Sequence, residues 1–119
     1  MITDATYISF YFRSNTIRVF LSAIRSIGSP DYLRFRISGD KHQMVMEPFH
    51  KKEFTSFKVP RGAKNLNQMQ IRGKRFCNMI IKELGYDPLL SYRIPGKIYE
   101  QQQIVLFDLE RAAVIRERN

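Results

Sequence analysis

Between Lys51 and Arg75 the chain carries eight cations: Lys51, Lys52, Lys58, Arg61, Lys64, Arg72, Lys74 and Arg75. Glu53 alone opposes them, so this stretch holds +7 of the formal net charge of +9. Phe49, Phe54 and Phe57 interleave with the first lysines. Ammonium and guanidinium groups hold phosphates, and aromatic rings among them stack on unpaired bases. On that reading Lys51, Lys52, Arg61, Lys64, Arg72, Lys74 and Arg75 are the candidate phosphate contacts. The competing reading is a solvated surface loop pinned to the core by its aromatics. Arg34, Arg36 and Arg93 fall on outward strand faces. They either extend the basic patch or are ordinary solvent-side residues of a half-buried sheet.

The groups that would serve other chemistry are scattered. His42 and His50 are eight residues apart with no cysteine nearby, which is not zinc spacing. Cys77 is the one cysteine, so no intramolecular disulfide forms and a reducing compartment is expected. Its neighbours Phe76 and Ile81 favour a buried structural thiol over a nucleophile. No nucleophile elbow, P-loop or dinucleotide fingerprint occurs, and the eleven carboxylates stand singly. Neither an enzyme, a metal nor a cofactor is expected.

With 119 residues the chain fits a single domain, 1–119, able to build a core without staples. A sequence pI near 10.0 suits a polyanionic partner, bound with release of counterions. Excess charge also serves plain solubility. The segment Met1 to Thr6 lacks a cationic leader, and no apolar run approaches the roughly 20 residues of a membrane span. A cytoplasmic location without membrane attachment is expected.

These cations must be positioned by short elements. Tyr7 to Phe12 reads as a strand with Ile8, Phe10 and Phe12 on one face. After a turn at Arg13–Thr16, Ile17 to Val19 reads as a second strand. Phe20, Leu21, Ile24 and Ile27 recur at helical spacing, closed by Gly28. Tyr32 to Ile37 alternates, Ser38–Lys41 is a hairpin turn, and Gln43 to Glu47 returns as a strand ended by Pro48. Residues 49–68 form a basic connecting segment with one short strand at Phe54 to Val59. Met69 to Arg72 is a strand and Arg75 to Leu84 a helix, closed by Gly85. Leu90, Tyr92 and Ile94 alternate, Pro95-Gly96 is a turn, and Ile104 to Leu109 is a buried strand. Glu110 to Arg118 completes the chain as a helix with Asp108 as N-cap, docked on the body or forming a dimer contact.

The two halves read alike. A shift of 57 residues superposes Ile24 on Ile81, Gly28 on Gly85, Arg36 on Arg93, Ile37 on Ile94 and Gly39 on Gly96. Ile17-Arg18 matches Ile71-Arg72 after a small gap. A half of this size cannot bury its own core, whereas two halves about a pseudo-two-fold axis share one. Chance recurrence of a helix–Gly–hairpin pattern is the alternative.

This order resembles the swapped-hairpin DNA-binding fold of AbrB-type transition-state regulators and MazE-type antitoxins, the SpoVT-AbrB-like fold. The two copies would be 17–48 and 69–109. Leu21-Ser22 and Lys74-Arg75 stand where that family commonly has Ile-Pro. The resemblance implies an α+β, mainly β, swapped-hairpin or cradle-loop-like barrel with a C-terminal helix added. It also implies DNA contacts near the first strand of each copy, at Arg18 and at Arg72, Lys74 and Arg75. The expected function is a small, bacterial-type regulator that binds nucleic acid, DNA in preference to RNA, with homodimerisation open. Two alternatives remain: a non-catalytic, antitoxin-like interaction module docking an acidic protein, and a single-stranded nucleic-acid binder stacking on Phe54 and Phe57.

Overall fold

The computed structural model describes residues 5–59 and 67–116. Alternation makes β1 (Ala5–Tyr11), in which Ile8 and Phe10 point inward and are fully buried. A turn at residues 12–15 leads into β2 (Thr16–Phe20), which sets Val19 opposite Ile8 and Ile17 opposite Phe10. α1 (Leu21–Ser26) buries Ala23 and Ile24. The chain leaves it through Gly28, whose φ of 95° a side chain would resist. β3 (Tyr32–Ile37) and β4 (Gln43–Phe49) form a hairpin, and β5 (Ser56–Lys58) lies on the far edge of β3. β6 (Gln68–Arg72) leads into α2 (Lys74–Leu84), which closes on Gly85 at φ 71°. β7 (Ser91–Tyr99) and β8 (Ile104–Asp108) form the second hairpin. A 3-10 turn at Leu109–Arg111 and the short β9 (Ala113–Ile115) follow.

All ladders are antiparallel, in the order β5-β3-β4-β8-β7-β1-β2-β6, with β9 on β7. The path curls into a nearly closed eight-strand barrel with two short helices. Its ends approach where Phe57 of β5 covers Gly73, just past β6. A β-carbon there would lie 2.7 Å from the ring. Phe76 of α2 meets Phe35 at 5.3 Å, Phe57 at 5.6 Å and Phe10 at 6.3 Å between ring centroids. One helix side chain therefore touches the adjacent strands β3 and β5 and also β1, four places further along the sheet. Burying a ring this size contributes about 1.5–3 kcal/mol. Phe76, Cys77 and Ile80 anchor α2, since its N-terminus has no side-chain cap.

Three expectations are corrected. Pro48 lies within β4, paired with Leu33, and does not end the strand. β8 pairs with β4 only as far as Met46, so beyond that point β4 has a free edge where a missing N–H costs nothing. Pro95-Gly96 is not a turn, because β7 runs straight through it and turns only after Tyr99. Gly96 is selected by a neighbour: a β-carbon there would lie 2.5 Å from the Phe107 ring. Glu110 to Arg118 forms no C-terminal helix over its described part. Asp108 does cap the Glu110 amide at 3.1 Å, but of a single 3-10 turn. β-Branched Val114 and Ile115 then pair with the open stretch Ser91–Arg93 of β7. A ladder already in place outcompetes a short helix that must nucleate alone.

Candidate nucleic-acid interface

β2 and β6 lie side by side, with Ile17 opposite Ile71 and both buried. This register sets Arg18 opposite Gln70 and Arg72 opposite Thr16, all on the outward face, where Thr16 is nonetheless buried beneath its neighbours. Arg18 Nε donates to Gln70 Oε1 at 3.3 Å, and its guanidinium lies 4.7 Å over the Tyr11 ring. Around this pair opens a cleft of about 630 Å³. Arg13, Arg18, Arg72 and Arg116 line it together with Tyr11, Ser14, Thr16, Gln70 and Ile115. Four of its nine lining residues are arginines and none is acidic. Arg13, Arg72 and Arg116 make no side-chain hydrogen bond or ion pair among the described residues.

Lys74 and Arg75 open α2 directly after β6 and are exposed. Arg75 lies 4.7 Å over the Phe54 ring, which brings the Lys51–Lys58 stretch alongside the start of the helix. Two cations at the positive end of a helix dipole cost about 0.3–1 kcal/mol each. No acidic residue in the first turn offsets them. They do not serve the helix they sit on.

The remaining candidates divide. Lys51 pairs with Glu53 at 3.5 Å, which neutralises it locally, and Lys52 is exposed. Arg61 and Lys64 lie outside the described residues. Arg34 and Arg36 are both committed to Glu47, at 2.6 and 2.5 Å. Burial would raise the Glu47 carboxyl, but hydrogen bonds and charge from Arg36 and Arg34 outweigh it and hold the group below the ordinary carboxylate value. Arg93 lies 5.7 Å over the Tyr7 ring.

Two residues of the cleft escape the sequence reading, Arg13 and Arg116. Arg13 sits in a turn, and Arg116 falls in the stretch expected to be helical. The tight β1–β2 turn carries Arg13 back beside Arg18, a signal available locally. Nothing local to Arg116 reports that its strand pairs with β7.

Reactive groups elsewhere are quiet. Burial pushes the Cys77 thiol up to about 11, leaving it protonated and inert at neutral pH. Burial, with Tyr92 beside it, pushes Tyr86 up to about 12. Among the described residues no group of three or more His, Cys, Asp or Glu is placed to hold a metal ion. No helix among them is long and apolar enough to cross a membrane. No family model, curated protein or solved structure matches the chain.

Proposed function

We propose that this protein binds nucleic acid without catalysis, duplex DNA in preference to single strands or RNA, as a small regulator would. The observation that carries this is the acid-free cleft on the β2–β6 face, lined by Arg13, Arg18, Arg72 and Arg116. Like charges gathered without a counter-charge repel one another, and a polyanion relieves that repulsion. Lys74 and Arg75 add exposed positive charge at the start of α2, just after β6.

The finer architecture proposed with it is a swapped-hairpin barrel of two similar halves. Ladder register supports this. A shift of 54 residues carries Ile17 onto Ile71, Arg18 onto Arg72 and Thr16 onto Gln70. The pair Arg18–Gln70 then becomes Arg72–Thr16, which is the register found. The two arginines are thus related about an axis through the Ile17–Ile71 pair. The single-stranded alternative loses one of its two rings, since Phe57 packs inward against Phe35 and Phe76, while Phe54 stays exposed with Arg75 over one face.

Fluorescence anisotropy of labelled duplex and single-stranded DNA, from about 50 to 200 mM salt, tests the proposal. Duplex is expected to bind more tightly, with a steep negative salt slope. Arg18→Gln with Arg72→Gln is expected to weaken every duplex alike and to flatten the slope by about two. Failure to bind either form at the lowest salt overturns the proposal and turns attention to an acidic protein partner.

A further inference from the structure

We infer that the cleft is a seat for a phosphate group and that the C-terminal strand β9 is its clasp, delivering Arg116 across from Arg18 and Arg72. This rests on the nucleic-acid reading and deepens it by naming the group held and a residue outside the basic segment.

The first support is what β9 fails to bury. Ala113 and Val114 are exposed and Ile115 is half-buried, so the strand gives nothing to the fully buried core. Ordering each backbone residue costs about 1–2 kcal/mol. Three ladder residues with so little apolar burial are therefore only marginally held, and such segments open readily. What β9 does contribute is cleft wall, through Ile115 and the adjoining Arg116.

The second support is register. β8 and β9 pair in succession along one edge of β7, and the 3-10 turn between them takes up three residues. That offset sets Ile115 opposite Ser91, the residue whose other edge meets Tyr11. Tyr11 in turn lies under Arg18. The end of β9 is thus aimed at the arginine cluster by backbone pairing alone.

The third support is chemistry. A guanidinium presents a planar fork of donors that matches a phosphate oxygen pair and stays charged at any relevant pH. Of the four, only Arg18 has a protein acceptor among the described residues, the neutral Gln70 amide. Ser14 and Thr16 add hydroxyls at the same wall, 2.9 Å apart. Phosphate suits this wall, whether from a nucleic-acid backbone or a free oligophosphate.

The test uses the full chain with two probes, a labelled duplex and inorganic tripolyphosphate. Arg116→Gln is compared with Arg72→Gln, and Lys82→Gln serves as a charge-matched control outside the cleft. Arg116→Gln is expected to weaken duplex binding about tenfold and flatten the salt slope by about one, as Arg72→Gln does and Lys82→Gln does not. Hydrogen exchange at the Ala113–Ile115 amides is expected to slow when either probe binds. If the duplex binds but Arg116→Gln leaves affinity and slope unchanged, the clasp is overturned while the nucleic-acid reading stands. If the wild type ignores the duplex, that reading falls and tripolyphosphate decides the seat. Protection of β9 that Arg116→Gln abolishes sustains the seat with a free phosphate as its source. No protection overturns it.

Discussion

Glu47 shows how partnership separates structural arginines from available ones. Arg34 and Arg36 look the same in sequence as Arg18 and Arg72: each lies on the outward face of an alternating strand. Only position along the sheet tells them apart. β4 runs beside β3, and Glu47 falls opposite Arg34, where it takes Nη2 at 2.6 Å. No carboxylate lies across from Arg18 or Arg72. The first pair therefore stabilises the barrel and the second remains free for a ligand. Glu47→Gln should cost about 1–2 kcal/mol by urea unfolding at pH 7, because Arg34 loses its charged acceptor. Arg36, being more exposed, adds little. The pH dependence has a definite sign. The Glu47 carboxyl is held below its ordinary value of 4.5, so the unfolded chain takes up that proton more readily than the folded one. The contribution is full above about that value and is lost as pH falls through the lower folded value. Wild type and variant should therefore converge in stability on acidification. A difference that persisted well below pH 4 would show that Glu47 acts through packing and not through charge.

At the scale of elements, strands with one buried face were legible, and so were both helices that close on glycine. β1, β2, β3 and β6 fall where alternation puts them, and α2 begins one residue before its expected start. What failed were ends whose identity depends on a distant strand. Gly39 and Gly96 align in the repeat, and reading both as turns follows from sequence alone. A β-carbon on Gly39 would meet nothing within 4 Å, and this glycine does sit at a turn. Gly96 is held between Thr6 of β1 and Phe107 of β8. A β-carbon on Gly96 would also come within 2.9 Å of the Leu106 carbonyl oxygen, and backbone in a ladder cannot step aside. Gly96→Ala should therefore cost about 3 kcal/mol, whereas Gly39→Ala should cost less than about 0.5 kcal/mol. Equal, small costs in thermal or denaturant unfolding would mean that the Phe107 ring has room to swing away. The same dependence on distant partners explains the lost C-terminal helix and the hidden Arg116. Their signal is an open edge on β7, far upstream in the chain, and not a local period.

For the whole molecule, the decisive feature is that many ladders join the first part of the chain to the second. Divide the chain after His50, and the first part holds β1–β4 while the second holds β5–β9. Four of the eight described ladders then run between the parts: β1 with β7, β2 with β6, β3 with β5, and β4 with β8. Phe76 likewise joins one part to Phe10 and Phe35 of the other. Neither part retains a sheet that covers its own apolar face, and two-stranded hairpins alone are marginal in water. Each fragment by itself should lack a cooperative unfolding transition. Mixed or co-expressed, the two should associate into a stable 1:1 complex with the far-ultraviolet spectrum of the intact chain. The cationic cleft gives a second readout. Arg13 and Arg18 come from the first fragment and Arg72 and Arg116 from the second, so phosphate binding should return only with the complex. A first fragment that unfolded cooperatively on its own would show instead that the halves merely touch, and the shared core, with the axis through Ile17 and Ile71, would have to be abandoned.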